Sequence, residues 1–359
     1  MLKNYFLKPL FIGSFLLTAF ISEAQHDPYF THFAFIQQAY NPAAAGVKAN
    51  YICITGLAHY QYRGYTDYTE TTGSDVLPAA KNQSNVAPET YNFNANTLLD
   101  IGGKGRNLVG VGVTFLDDKI GYMKTTSYKA AINYRLPIQG NFAFLSIGIE
   151  AGGTAFGYDN PRFTALDPND KHIPNGGGSE SNPNFGAGLL YQQKTLFNKL
   201  ENFYVGASYN NLNAANYNFS VTMQDGGTRA VDMTFQRYLH LNTGADWQLA
   251  NPNWKLEPAI LVKYNPQFQM DLSMTALFSK MLRGGLAYRT KSDAISILLG
   301  YERGPLQVGY AYDVTLSKIR TVSDGTHEVF VKYCIPIVFP PTPGKTPKLT
   351  PRFMGRGAY

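Results

Sequence analysis

Apolar and polar residues alternate with a period of two along most of this chain. In the stretch TSYKAAINYRL, Tyr128, Ile132 and Leu136 share one face, while Lys129 and Arg135 share the other. WKLEPAILVKY, FLSIGIEAG and FQMDLSMTALF repeat the arrangement. Because successive side chains of a strand point to opposite faces, the pattern predicts β-strands with one apolar and one polar face. The polar face is mostly Gly, Ser, Asn and isolated charges, unlike the Lys- and Glu-rich surface of a soluble sheet.

Such segments recur about fourteen times, and single-chain bacterial outer-membrane barrels have an even number of strands. The predicted strands lie near residues 50–62, 89–100, 106–116, 125–136, 142–156, 183–194, 201–210, 236–248, 253–264, 267–278, 281–290, 293–302, 305–314 and 325–334. Connections after even-numbered strands are short, whereas residues 63–88, 157–182 and 211–235 form long loops. Outer-membrane barrels carry their long loops outside the cell. The fold class predicted is therefore an all-β, antiparallel transmembrane outer-membrane β-barrel of about 14 strands, with both termini in the periplasm.

Composition separates this barrel from a secreted β-sandwich or adhesin. Of 359 residues, 16% are charged, 14% are aromatic and 34 are Gly, whereas an average soluble domain is about 25% charged. No apolar run after residue 24 is long enough for a transmembrane helix, which needs roughly twenty residues. The net charge of +6 is carried partly by the two ends of the chain. No basic patch interleaved with aromatics indicates a nucleic-acid partner.

The patterns divide the chain into four regions. Residues 1–24 have a basic start, a short apolar run and a small-x-small cleavage site, which is typical of a signal peptide. Residues 25–48 are predicted to be a periplasmic N-terminal segment, and residues 49–335 the barrel. Residues 336–359 form a Pro-rich, basic periplasmic tail, which is either a disordered extension or a docking strap for a periplasmic partner.

The predicted N-terminal segment contains QHDPYFTHFAFIQQAYNPAAAG, which has no helical stripe. Asn41-Pro42 predicts a turn, and Gly46 lets the chain enter the first strand. Its aromatic residues are too many to leave in water, so we expect them to pack into the periplasmic mouth of the lumen as a partial plug. The alternative is a mobile leader. The aromatic residues are Tyr29, Phe30, Phe33, Phe35 and Tyr40.

The two cysteines lie on strands that a closed barrel must pair. Cys53 is early in the first predicted strand and Cys334 is at the end of the last, on the same face. One interpretation is a disulfide across the barrel seam in an oxidising compartment. The other is two unpaired cysteines, because a register offset of a few residues would exceed the roughly 7 Å limit between Cα atoms.

No pattern of residues is typical of catalysis or of metal binding. The six His are scattered without metal-ligand spacing, and no nucleophile motif occurs. Asp167, Asn169 and Asp170 offer oxygen ligands for Ca²⁺, but their loop departs from the EF-hand spacing, so a solvated loop is favoured. We predict no enzyme activity, no cofactor and no metal. A lipid hydrolase would need a Ser and His pair on neighbouring strands.

Several motifs, taken in order, resemble the PorP/SprF family of the Bacteroidota type IX secretion and gliding machinery. That family's mature N-terminus runs into I-N-P-A-x-A-G, and the matching residues here are Tyr40, Asn41, Pro42, Ala43, Ala45 and Gly46. The resemblance continues through DDKIG, NFGAGLLY, FYVGASYNNL, RYLHLNTGADW and the block LAYRTKSDAISILLGYERGPLQVGYAYDVTLSKIRTVSDGTHEVFVKY. It covers nearly the entire mature chain. Two segments depart from the family, namely HFAFIQQAY and the first-loop segment YRGYTDY, where relatives carry a Trp.

The resemblance implies a non-enzymatic barrel in outer-membrane lipid that works with other type IX secretion components. The resemblance also implies a role in the secretion or surface retention of a partner protein, often a large adhesin, whose C-terminal domain the barrel receives. The departure in the first loop leaves the cargo and its binding residues undefined.

The main alternative function is a diffusion channel or small-solute transporter. Charged residues on the predicted lumen face either line a wet channel or pair across the interior and close it. We favour closure, since a cargo anchor gains nothing by leaking. These residues are Lys129, Arg135, Glu150, Lys263, Asp271, Arg289, Glu328 and Lys332.

Overall fold

The computed structural model describes residues 28–46, 51–63, 87–101, 108–138, 142–158, 176–197, 199–265, 267–290, 294–316 and 323–337. The predicted signal peptide, most of the predicted tail and the candidate calcium loop lie outside these ranges. Within them, no helix is both long and apolar enough to cross a membrane.

Fourteen strands form a closed antiparallel barrel, in which the last strand pairs with the first. The strands of the barrel are β1 (Tyr51–Tyr60), β2 (Glu89–Asp100), β3 (Leu108–Ile120), β4 (Met123–Ile138), β5 (Ala143–Tyr158), β6 (Gly178–Phe197), β7 (Leu200–Asn210), β10 (Tyr238–Gln248), β11 (Trp254–Asn265), β12 (Gln267–Phe278), β13 (Leu282–Arg289), β14 (Ala294–Arg303), β15 (Leu306–Thr315) and β16 (Thr326–Pro336). The predicted fold class and strand number are confirmed, and most strand bounds fall within a few residues of the prediction.

Two connections differ from the prediction. The loop predicted over residues 157–182 is shorter, because β6 already begins at Gly178. The loop predicted over residues 211–235 contains a hairpin of β8 (Asn216–Thr222) and β9 (Thr228–Thr234). Its turn includes Gly226 with a φ of +80°, and an Asp-Gly pair between alternating runs is a hairpin signal. Each run has 7 residues, fewer than the roughly nine that a membrane-spanning strand needs.

Burial follows the alternation that the sequence shows. Outward-facing apolar side chains such as Ile132, Ile149 and Leu286 are exposed along the barrel wall. Lumen-facing side chains are buried and mostly polar, as Asn133 and Ser146 are. The wall therefore presents an apolar surface to lipid and encloses a polar interior.

The two ends of the barrel are different. The end that carries the β1–β2, β5–β6 and β7–β10 connections is called the loop end, and the opposite end is called the turn end. β1 begins and β16 ends at the turn end.

The seam between β1 and β16 is closed at the turn end by a disulfide bond. Cys53 and Cys334 are direct register partners, their Cα atoms are 4.0 Å apart, and their sulfur atoms are bonded across 281 residues of sequence. The covalent link holds together the two strands that are farthest apart in the chain.

Replacing both cysteines by Ser is expected to lower the stability of the barrel by roughly 2–4 kcal/mol, because the link restricts the unfolded chain. Thermal unfolding in detergent micelles measures the change. Reduction of the wild-type disulfide should produce the same shift as the double substitution. An unchanged unfolding midpoint in both experiments would show that the backbone ladder alone holds the seam.

Candidate functional site: a segment inside the barrel lumen

Residues 28–46 lie inside the barrel and are called the lumenal segment. The segment starts near the loop end, where Lys263 Nζ donates to Pro28 O at 2.8 Å. It ends at the turn end, where Gly46 packs against the backbone of Thr97 with a φ of +74°. The segment contains three short 3-10 turns: Phe33–Phe35, Gln37–Ala39 and Pro42–Ala44. The segment thus follows the depth of the lumen.

Asn41 joins the turn of the segment to the barrel wall. Its Oδ1 accepts from the Ala43 N–H at 2.9 Å, and its Nδ2 donates to Leu189 O on β6 at 3.0 Å. Asn41 is fully buried. A short amide side chain can serve both its own backbone and a partner, so Asn41 sets the turn that Pro42 continues.

Lumen-facing glycines form a trough in the wall against which Gln38 and residues 41–45 pack. An added Cβ at Gly188 would lie 2.1 Å from Asn41 Oδ1, and one at Gly148 would lie 2.6 Å from Ala43 N. Neither distance is compatible with a side chain, so the close approach requires glycine. The trough consists of Gly110, Gly112, Gly148, Gly188 and Gly206.

The irregular backbone of the segment is satisfied by polar side chains of the wall. Ser208 Oγ and Asn210 Nδ2 donate to Tyr40 O at 2.7 and 3.1 Å. Asn133 Nδ2 donates to Ala45 O at 2.8 Å. Because buried carbonyl groups without partners are costly, these contacts stabilise a segment that has no regular ladder of its own.

Glu328 of β16 binds the loop-end half of the segment. Its carboxylate accepts from the backbone N–H groups of Thr31 and His32 at 2.8 and 2.7 Å. The Nδ1 atoms of His32 and His59 lie 2.7 and 2.9 Å from its two oxygens. Glu328 is fully buried, and a buried carboxylate is stable only when it is hydrogen-bonded in this way.

Arg289 of β13 forms a second contact centre beside Glu328. Its Nε and Nη1 lie 3.3 and 3.4 Å from carboxylate oxygens of Asp271 and Asp313, and its guanidinium lies 4.2 Å from the Tyr29 ring centroid. Thr31 Oγ1 donates to Asp313 Oδ1 at 3.0 Å. The Tyr29 ring therefore packs against the Arg289 cation.

Aromatic side chains of the segment form an apolar core within the polar lumen. Phe30, Phe33 and Tyr40 are almost completely buried, and they cluster with Leu261 and Phe330 of the wall. Burial of each large side chain contributes about 1.5–3 kcal/mol. The aromatic residues are therefore distributed through the lumen, and Tyr29 lies at the level of His59 near the loop end, with 5.8 Å between the two ring centroids.

The other charged residues predicted on the lumen face have different surroundings. Lys129 Nζ lies 2.6 Å from Glu150 Oε1, and Lys263 Nζ lies 4.7 Å from the Tyr40 ring centroid. Arg135 is buried without a paired carboxylate among the described residues. Lys332 lies on the lumen face near the turn end and is partly exposed.

Several residues of this site were missed by the sequence reasoning. The spacing of His32 and His59 in the sequence indicates no binding site, and Asp313 and the trough glycines belong to no recognisable motif. The alternation places His59 and Asp313 on the lumen face, and this position is the sequence signal that could have identified them as candidate lumen contacts. Their hydrogen-bond partners are distant in sequence, with 282 residues between Thr31 and Asp313 and 269 between His59 and Glu328, so no local pattern marks them.

Two cavities lie on opposite sides of the lumenal segment. The outer vestibule, at the loop end, has a volume of about 270 Å³ and is bounded by Phe30, Tyr40, Phe156 and Phe235. The inner vestibule, at the turn end, has a volume of about 350 Å³ and is bounded by Phe35, Gln37, Arg135 and Phe144 among others. Across the described ranges, no three His, Cys, Asp or Glu side chains are grouped so that they could hold a metal ion.

The fold and the site together define an outer-membrane β-barrel whose interior is occupied by a segment of its own chain. The chain matches the family described as "Type IX secretion system membrane protein PorP/SprF" over residues 22–333, and it belongs to that family. It is therefore an outer-membrane barrel protein of the type IX secretion system, as the sequence resemblance predicted.

Solved structures of other outer-membrane barrels are similar at low identity. The TodX deltaS2S3 mutant monoaromatic hydrocarbon channel is 12% identical with a TM-score of 0.48, over 83% of this chain and 93% of that chain. The Ralstonia pickettii toluene transporter TbuX is 13% identical with a TM-score of 0.48, over 83% and 92%. A Pseudomonas aeruginosa FadL homologue is 13% identical with a TM-score of 0.45, over 87% and 95%. At these scores no functional argument rests on the similarity.

A search of curated proteins finds no match.

Proposed function

We propose that this barrel receives the C-terminal domain of a secreted type IX cargo protein, of the adhesin kind, at its loop end and anchors it at the cell surface. In this proposal the loop end faces the exterior, and the turn end, with both termini, faces the periplasm. The barrel acts as a binding partner within the secretion machinery and catalyses no reaction.

The observation that carries the proposal is the lumenal segment. Residues 28–46 bind wall side chains on strands around the barrel, from Asn133 of β4 to Glu328 of β16. A diffusion channel needs a continuous wet path, and the segment with its apolar core lies across that path between the two vestibules. The filled lumen therefore favours a binding role over the channel alternative.

The β8–β9 hairpin provides an ordered surface at the loop end. Tyr217 OH donates to Thr154 O of β5 at 3.1 Å, and the Tyr217 and Phe235 ring centroids are 4.6 Å apart. The hairpin is thus fixed over the outer vestibule by aromatic packing. A fixed surface loses little conformational entropy when it binds a partner.

Affinity purification from the native outer membrane, followed by mass spectrometry, tests this function. Wild-type barrel should recover a secreted protein with a type IX C-terminal domain together with machinery components. A variant in which Asn216–Thr234 is replaced by a short Gly-Ser linker should lose the secreted protein and keep the machinery. Lys199→Ala, an exposed change at the turn end, is the matched control and should recover both. Equal recovery of the secreted protein with and without the hairpin would contradict a binding surface there.

A further inference from the structure

Arg135 of β4 is a buried cation that has no carboxylate partner among the residues that the structure describes. It is only 4% exposed, its Nε donates to Ser146 Oγ at 3.2 Å, and its Nη2 has no acceptor. In the part of the chain that the structure describes, no carboxylate pairs with it. The other buried arginines of the described lumen do have such partners: Arg283 pairs with Glu257, and Arg289 with two aspartates.

A buried guanidinium without a counter-ion opposes folding, because its desolvation is not offset by an ion pair. Such groups are typical of binding sites, where a ligand supplies the missing charge. Arg135 lines the inner vestibule, which lies on the turn-end side of the lumenal segment.

Two further groups of the same cavity point to the kind of ligand. The Lys194 ammonium lies 5.6 Å from the Phe144 ring centroid, and the Arg135 guanidinium lies 5.8 Å from the same centroid, so two cations flank one aromatic ring. Gln37 Oε1 is a buried acceptor that receives no hydrogen bond within the described ranges. Asp246 and Glu257 also line this cavity, but they pair with Lys255 and Arg283. The Arg135 guanidinium is therefore the buried charge of the vestibule that has no counter-ion among the described residues.

We propose that the inner vestibule binds an acidic peptide segment of a partner protein on the turn-end side of the barrel. A Glu or Asp carboxylate matches the planar fork of Arg135, and a peptide N–H satisfies Gln37. A lipid headgroup fits less well, because Arg135 faces the lumen while its neighbours Tyr134 and Leu136 are exposed on the lipid-facing wall. The site does not depend on the cargo proposed for the loop end.

Fluorescence anisotropy with the full chain in detergent micelles tests this site. The probe is a fluorescein-labelled peptide with a blocked C-terminus and the sequence Glu-Ala-Glu-Ala-Phe. Wild-type protein should bind it, and Arg135→Met should weaken binding at least about tenfold, as expected for the loss of a charge-assisted hydrogen-bonded pair. Lys194→Met should weaken it less, because Lys194 is exposed. Lys124→Met, which removes a partly exposed cation beside Asp117 at the loop end, is the matched control and should leave the affinity unchanged.

Thermal unfolding without the probe separates a binding role from a structural one. If Arg135 is kept for a ligand, Arg135→Met should raise the midpoint, because an uncompensated buried charge is replaced by an apolar side chain. A lowered midpoint would assign Arg135 a structural role and overturn the proposal. Failure of wild-type protein to bind the probe, equal binding of the Glu→Gln peptide, or equal displacement by inorganic phosphate would overturn it as well.

Discussion

Glu328→Gln is expected to release the loop-end half of the lumenal segment and to lower stability by about 3–5 kcal/mol, the usual cost of breaking a buried charged pair. The substitution replaces one acceptor oxygen with an NH₂ group that faces a donor, either the Thr31 N–H or the His32 N–H. Hydrogen exchange followed by mass spectrometry measures the release, because the amides of Thr31 and His32 lose their acceptor.

Glu302→Gln provides the matched control. Glu302 also lies on a barrel strand and contacts Arg283 Nη2 at 3.2 Å, but it is partly exposed and makes no described contact with the segment. Its substitution should leave the exchange of residues 28–46 at the wild-type rate. Slow exchange of Thr31 and His32 in Glu328→Gln would show that the aromatic core holds the segment without this carboxylate.

Gly188→Val combined with Gly148→Val is expected to displace the segment from its trough. The added side chains would occupy the positions of Asn41 Oδ1 and the Ala43 backbone, and the wall strands are restrained by their ladders, so the segment must move. Overpacking of a well-packed site costs about 1–3 kcal/mol for each side chain. We expect single-channel conductance in planar bilayers to appear in the variant and to be absent in the wild type, together with chymotrypsin cleavage at Tyr40.

Gly56→Val is the control for this pair, because a Cβ at Gly56 meets no heavy atom within 4 Å. It should remain non-conducting and resistant to cleavage. A stable open pore in wild-type protein would favour the channel alternative. A non-conducting, protease-resistant double variant would indicate that the segment closes the lumen without needing the trough.

These two experiments probe opposite halves of one element. Glu328 and Arg289 hold the loop-end half through charge, whereas the trough holds the turn-end half through shape and through the hydrogen bond from Asn133. We expect the halves to be separable, so that residues 28–33 can loosen while residues 41–45 stay in place.

The strands of the barrel could be predicted because each one carries its own signal. In β4, residues from Ser127 to Arg135 alternate because one face of the strand contacts lipid and the other faces the polar interior. Cys53 and Cys334 could be suggested as partners because closure of a barrel forces the first and last strands together. Whether the two fall into register was not predictable, since a slip of two residues keeps every side chain on its face and leaves every local pattern intact.

The contents of the lumen depended on distances that no local pattern encodes. Charges could be assigned to the lumen face, but Glu328 binds His32 and His59, while Arg289 binds two aspartates on other strands. Strand tilt and stagger place these groups at the same height. The trough was hidden for the same reason, because its glycines lie on four different strands and become one surface only in the closed barrel.

By itself, the sequence determined an outer-membrane barrel of the type IX secretion family, its strands, its lipid-facing and lumen-facing residues and its aromatic N-terminal segment. Only the tertiary structure decided that residues 28–46 run through the lumen, which charges they bind and that Arg135 is left without a carboxylate in the described chain. The physical reason is that alternation is a property of neighbouring residues, whereas the filling of a lumen depends on side chains that meet only after fourteen strands have closed.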